Sequence, residues 1–131
     1  MILLVNTADQ GSITVAIARG GKVVTFKEVT TPHHGAGKIL SAIEQLLKKQ
    51  KASLKGVIVV SGPGSFTAVR LGVVIANTIS WSLGIPIVGV KRTMFTTLAD
   101  LASQSPTFMK QAKRKKLVTP FYGKEPNITA P

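Results

Sequence analysis

Apolar residues along this chain fall into short runs that predict a β-sheet. Unbroken apolar runs, the pattern of strands covered on both faces, occupy residues 2–5, 57–60 and 87–90. Residues 13–18 instead alternate with a period of two, which predicts a strand with one buried face. The turn Arg19-Gly20-Gly21-Lys22 predicts a hairpin into a returning strand at residues 23–29. The N-terminal part is therefore expected to form an antiparallel meander.

Helical spacing of apolar residues predicts three helices packed on this sheet. The first, residues 37–51, carries an apolar stripe and ends in lysines, where the helix dipole favours cations. The second, residues 66–83, is apolar nearly all round, so either this chain or a partner must bury it. So little chain is left to cover it that we predict exposed apolar surface on this helix. A third helix is predicted at residues 93–103 and is expected to end at Ser105-Pro106.

The charge balance points to an anionic partner or to a solubilising surface. The net charge is +12, from 17 Lys and Arg against 5 Asp and Glu, and such an excess attracts polyanions. The candidate nucleic-acid contacts are the clustered cations Lys48, Lys49, Lys51, Lys113, Arg114, Lys115 and Lys116. Binding through them would weaken steeply as salt rises.

Composition also limits the metal and membrane chemistry that we expect. The chain has no cysteine, which excludes disulfides and thiolate metal sites and fits a reducing cytoplasm. His33 and His34 lack a recognised ligand spacing, so no metal site is predicted. Arg70, Asn77 and Pro86 interrupt the longest apolar region, which excludes a membrane span there. We expect a cytoplasmic protein that does not enter a membrane.

A glycine-rich turn joins residues 57–60 to the second helix. Gly62, Pro63 and Gly64 predict a sharp turn, and Ser65 is placed to cap the helix that follows. Such a turn could cradle a phosphate at the helix N-terminus, although its spacing matches neither the phosphate loop nor the dinucleotide fingerprint. From the residues alone, a structural turn and a phosphate site both stay open.

The string Gly62-Pro63-Gly64-Ser65-Phe66-Thr67 followed by Arg70-Leu71-Gly72 closely resembles the signature of the TsaB family, also called YeaZ. The order of elements agrees with that family over about residues 1–102: a strand and its turn, a hairpin, a histidine before a helix, and then the signature. The resemblance implies an α/β fold, a single actin-like, ribonuclease H-like (ASKHA) lobe with a mixed sheet. Family members carry two lobes, so residues 1–103 are predicted to be the N-terminal lobe. Residues 104–131 are then a basic remnant of the second lobe or a flexible tail.

The resemblance also implies a function. It predicts a non-catalytic scaffold of the complex that makes N6-threonylcarbamoyladenosine in tRNA, pairing with a TsaD-type transferase and working with a TsaE-type ATPase. A homodimer is expected in isolation. The implied interface lies on the first two helices, although core packing is the other interpretation of the same side chains: His34, Ile39, Leu40, Ile43, Leu47, Phe66, Val69, Arg70 and Val73.

Nucleotide chemistry depends on the turn after the first strand. The family usually has aspartate at the position of Asn6, and an amide there cannot organise metal and phosphate in the same way. The candidate phosphate or nucleotide contacts are Asn6, Thr7, Gly62, Gly64 and Ser65. We expect no catalytic residues and no cofactor bound by this chain alone, with ATP entering only in the complex. The alternatives are an RNA-binding module and the nucleotide-binding half of an actin-like ATPase.

Overall fold

The computed structural model describes residues 1–30, 36–50, 54–64, 66–112 and 118–119. The strands are β1 (Ile2–Asn6), β2 (Ser12–Arg19), β3 (Lys22–Thr30), β4 (Gly56–Gly62) and β5 (Ile87–Lys91). The α-helices are α1 (Ala36–Gln50), α2 (Phe66–Leu83) and α3 (Leu98–Met109), and a short 3₁₀ turn covers Arg92–Met94.

The described strands form one mixed sheet in the order β3-β2-β1-β4-β5. β1, β2 and β3 pair antiparallel, which confirms the predicted meander, whereas β4 runs parallel to both β1 and β5. β1 and β4 lie at the centre, and Leu4 is paired with Ala16 on one side and with Ile58 on the other. Their unbroken apolar sequences follow from this position, because a central strand with helices on both faces exposes neither side.

The helices cover both faces of the sheet. Lys27 of β3 donates a hydrogen bond to Gln45 of α1, whereas the neighbouring Phe26 faces a cleft beside the first turn of α3. Successive side chains on a strand point to opposite faces, so α1 and α3 lie on opposite faces. Since α2 packs against α1, α1 and α2 form one layer and α3 the other.

The third helix differs from its prediction. Thr97 caps it by accepting a hydrogen bond from the Asp100 amide at 3.1 Å, so α3 begins later than residue 93, and it continues to Met109 through Pro106. The prediction that Ser105-Pro106 ends this helix is wrong. Proline cannot donate to the carbonyl four residues earlier, and here the Ser105 hydroxyl donates to that carbonyl, on Ala102, at 2.7 Å. Residue 103, where both the helix and the lobe were predicted to end, therefore lies inside α3.

Candidate partner interface and adjoining cleft

The outer face of α2 exposes apolar side chains. Val69 and Val73 are buried against the sheet, whereas Val74 is 54% exposed and Trp81 is 79% exposed. Val74 and Trp81 lie four and eleven residues after Arg70, a spacing that keeps all three on one side of a helix. The exposed apolar surface that was predicted for this helix is confirmed.

The neighbouring helix α1 adds to this surface. Its buried side is formed by Ile39, Ala42, Ile43 and Leu46, whereas Leu40 is 44% exposed. Gln45 bonds Lys27 of β3 and lies on the opposite flank from Leu40, because five residues correspond to nearly one and a half turns. Leu40 is therefore on the flank away from β3. We call the surface formed by Leu40, Arg70, Val74 and Trp81 the helix face.

The structure divides the residues predicted for the interface. Leu40 and Arg70 are exposed and Leu47 is half-buried, whereas His34 and the side chain of Phe66 lie outside the described residues. For four other residues the prediction of an interface position is corrected, because at most 2% of each side chain is exposed and the core of this chain already buries them. These are Ile39, Ile43, Val69 and Val73. Apolar spacing identifies which residues share a side of a helix but does not say which side meets the sheet.

Val74 and Trp81 were not among the residues predicted for the interface, although the sequence held a signal for their exposure. Among the polar residues of α2, Ser80 is buried and Asn77 is half-buried, but Thr67, Arg70 and Thr78 are exposed. They recur at helical spacing and mark the side that faces solvent. An apolar residue between them, such as Val74, is then expected at the surface.

The signature loop packs directly on the turn after β1. A Cβ added to Gly64 would lie 2.7 Å from the Cα of Ala8, and one added to Gly72 would lie 2.8 Å from the Cγ2 of Thr7. Both distances are shorter than real contacts of a Cβ atom. These two glycines are therefore required by the close approach of the loop and α2 to this turn. Gly62 has φ of 120° and precedes a cis peptide bond to Pro63.

Asn6 and Asp9 are engaged by the protein itself. The Oδ1 of Asn6 accepts a hydrogen bond from the Ala8 amide at 2.9 Å, and its Nδ2 donates to Asp9 at 3.1 Å. The other carboxylate oxygen of Asp9 pairs with the Nε of Arg92 at 2.6 Å. The Arg92 guanidinium also donates to the Phe95 carbonyl at 2.9 Å and lies 4.5 Å from the centre of the Phe95 ring.

Asn6 thus acts as a structural residue of the turn. An aspartate in its place could not donate to Asp9, so the amide suits this arrangement. Arg92 was not predicted as a site residue, because it pairs with a residue 83 positions away and no local pattern reports such a contact.

A cleft of about 510 Å³ opens beside this cluster, between the α3 face of the sheet and the start of α3. It is lined by Asn6, Asp9, Thr14, Phe26, Glu28, Arg92 and Phe95, among others. Of the predicted phosphate contacts, Asn6 lines this cleft, whereas Thr7 is fully buried beneath α2. Gly64 packs on Ala8, next to Thr7 in the chain, Gly62 pairs with Lys91 of β5, and Ser65 lies outside the described residues.

The predicted nucleic-acid contacts are mostly outside the described part of the chain. Lys48 is exposed in the last turn of α1. The side chain of Lys49, the whole of Lys51 and residues 113–116 are not among the described residues. Within the described ranges, no three His, Cys, Asp or Glu residues are grouped to hold a metal ion. No helix there has the length and apolar character to cross a bilayer.

Comparisons with known proteins match the chain to two proteins of tRNA threonylcarbamoyladenosine synthesis, TsaD and TsaB. A family model described as "TsaD: tRNA N6-adenosine threonylcarbamoyltransferase" matches residues 26–119. The tRNA threonylcarbamoyladenosine biosynthesis protein TsaB of Bacillus subtilis is 30% identical over 92% of this chain and 54% of that protein. TsaB of Buchnera aphidicola from Acyrthosiphon pisum is 32% identical over 97% and 55%. The chain spans about half the length of the curated relatives it matches.

A solved structure supports the fold. YeaZ from Pseudomonas aeruginosa superposes with a TM-score of 0.62 and 22% identity, over 69% of this chain and 43% of that chain. At that identity the likeness shows the fold alone.

Proposed function

The chain belongs to the TsaB (YeaZ) family, and from this premise we propose that it is a subunit in threonylcarbamoyladenosine biosynthesis on tRNA. Its fold is the single actin-like, ribonuclease H-like lobe that was predicted. We assign it the role of a non-catalytic scaffold that docks a TsaD-type transferase through the helix face. The exposure of Val74 and Trp81 on α2 is the observation that carries this assignment.

The helix face has the composition of a docking surface. Aromatic residues and arginine are enriched at the centres of interfaces, and a few such side chains supply most of the binding free energy. Burial of one large apolar side chain contributes about 1.5–3 kcal/mol, so Leu40, Val74 and Trp81 together supply a substantial part of a stable complex. The match to a TsaD family model supports a partner of related fold.

The turn after β1 supports a non-catalytic role. Both polar atoms of the Asn6 amide and both carboxylate oxygens of Asp9 are used within the protein. A general base needs a free acceptor within reach of its substrate. ATP and a TsaE-type ATPase therefore belong, in this proposal, to the assembled complex, and a homodimer through the helix face forms when the transferase is absent.

Size-exclusion chromatography with light scattering tests the assignment. The protein is measured alone and mixed with the TsaD-type protein of the same organism, together with two matched variants. Val74→Asp places a charge on the helix face, and Val24→Asp places the same charge on β3, where Val24 is 43% exposed. We expect the wild type and Val24→Asp to form a stoichiometric heterodimer. Val74→Asp should weaken it about 30-fold or more, the effect of losing about 2 kcal/mol at an interface hot spot.

Two results would contradict the scaffold role. One is a wild-type monomer that does not bind the transferase. The other is equal weakening by Val74→Asp and Val24→Asp, which would place the contact elsewhere. Circular dichroism of both variants checks that each is folded.

A further inference from the structure

One end of the sheet collects basic side chains. Arg19 ends β2 and pairs with Lys22 at the start of β3. Ile2 pairs with Ala18 on one side and with Gly56 on the other. Met1 is therefore flanked by Arg19 on one side and by Lys55 on the other. The three cations therefore follow one another across four adjacent strands.

The C-terminal ends of two helices reach the same place. Met109 packs on Gly56, the first residue of β4, which brings Lys110 to this end. Lys48 lies in the last turn of α1, seven positions before Lys55. We call Arg19, Lys22, Lys48, Lys55 and Lys110 the basic edge.

Carboxylates lie elsewhere in the described structure. Asp9 follows the opposite end of β1, Glu28 is paired with Thr14 near that same end, and Asp100 lies in the first turn of α3. The fourth described acidic residue, Glu44, lies in the middle of α1. Glu44 lies one helical turn before Lys48 and offsets part of that charge, whereas no described carboxylate lies beside Arg19, Lys22, Lys55 or Lys110.

The side chains of the basic edge are available to a ligand. All five residues are exposed, and within the described part of the chain none of them has a side-chain hydrogen bond or an ion pair. Burial, followed by the charges of Lys55 and Arg19, lowers the pKa of the Met1 amino group. Lys55 and Arg19 thus both lie close to Met1, as the pairing of Ile2 with Ala18 and Gly56 requires.

We propose that the basic edge binds the phosphate backbone of RNA. Neighbouring strands lie about 4.8 Å apart, so the row from Lys22 to Lys55 spans about 14 Å, enough to meet several consecutive phosphates. The edge consists of strand ends, turns and the C-terminal ends of two helices, whereas a typical membrane-surface site is the long face of one amphipathic helix. The choice of RNA among polyanions rests on the proposed function in tRNA modification.

Fluorescence anisotropy with a labelled, unmodified tRNA transcript tests the proposal. Lys22→Gln with Lys55→Gln removes two charges from the basic edge, and Lys38→Gln with Lys91→Gln removes two exposed charges from the other end of the sheet. We expect the first pair to weaken binding about tenfold and to flatten the slope of log affinity against log salt by about 1.5 to 2. The control pair should change affinity by less than about threefold. Equal loss in both pairs, or no measurable binding by the wild type, would overturn the proposal.

Two further measurements distinguish RNA binding by the basic edge from the scaffold role and from membrane binding. The transferase is titrated with the Lys22→Gln, Lys55→Gln variant by light scattering, and unchanged heterodimer formation shows that the scaffold role survives any failure of RNA binding. Phosphatidylserine vesicles are the second probe. One outcome is that the vesicles displace the tRNA transcript at equal total charge, and that vesicle binding loses more affinity than tRNA binding when Lys22 and Lys55 are replaced. In that case the site is a membrane contact and the RNA proposal fails.

Discussion

Thr7 carries a buried hydroxyl whose oxygen has no hydrogen-bond partner among the described residues. Thr7→Val keeps the shape of the side chain and removes the polar atom. Because an unpaired buried hydroxyl costs about 1–3 kcal/mol, we expect unchanged or higher stability in urea unfolding. Ser61→Ala is the contrasting variant, since the buried Ser61 hydroxyl donates to the Val90 carbonyl at 3.3 Å, and its loss should cost about 1 kcal/mol. A Thr7→Val protein less stable than wild type would mean that the hydroxyl is bonded.

At Gly72, helix propensity favours alanine whereas packing requires glycine. Alanine is favoured over glycine in a helix by about 1 kcal/mol, but a Cβ here would overlap the side chain of Thr7. We expect Gly72→Ala to destabilise the protein by about 1–3 kcal/mol through overpacking. Gly37→Ala in α1, where a Cβ meets nothing within 4 Å, should not destabilise it. Adding Thr7→Ala should restore part of the loss, and independent, additive effects in a double-mutant cycle would contradict this account.

At the scale of elements, α3 depends on the carboxylate in its first turn. Hydrogen bonds from the Thr96 amide at 2.8 Å and from Gln104 at 3.0 Å lower the pKa of Asp100 below its ordinary value of 3.8. A lowered pKa stabilises the fold at pH values above 3.8, and this contribution is lost as pH falls through the folded-state value. We expect Asp100→Asn to unfold at lower urea than wild type at neutral pH, with a gap that closes in acid. A gap independent of pH would contradict it.

The outer face of α2 carries the single tryptophan of the chain. If the protein forms a homodimer through the helix face, acrylamide should quench Trp81 efficiently at low protein concentration and less efficiently as the dimer forms. Val74→Asp should remove this dependence on concentration because a buried charge opposes association, whereas Val24→Asp should retain it. Quenching that stays constant in the wild type over a range where light scattering reports a dimer would place that dimer on another surface.

At the scale of the whole molecule, the periodicity of apolar residues predicted the strands and helices better than it predicted how they pack against one another. The strands and α1 and α2 followed from apolar runs, since those runs reflect burial in a layered fold. The sides of α1 and α2 that meet the sheet did not follow, which is why Ile39 and Val73 were assigned to an interface. The pairing of Arg92 with Asp9 joins residues 83 positions apart, which local sequence does not encode. The continuation of α3 through Pro106 was missed because a Ser-Pro pair was taken to end a helix, whereas the Ser105 hydroxyl bonds the carbonyl that proline leaves without a donor.

The segregation of charge predicts how the whole molecule responds to salt. A net charge of +12 opposes the compact state through self-repulsion, and this repulsion should be strongest at the basic edge. We therefore expect added sodium chloride to raise the urea midpoint, because salt screens exposed like charges. Lys22→Gln with Lys55→Gln should raise the midpoint at low salt and reduce its dependence on salt. Lys38→Gln with Lys91→Gln should do so less, since these lysines lie at the end of the sheet that carries Asp9, Glu28 and Asp100. Equal effects from the two pairs would mean that the total charge governs stability, whatever its distribution.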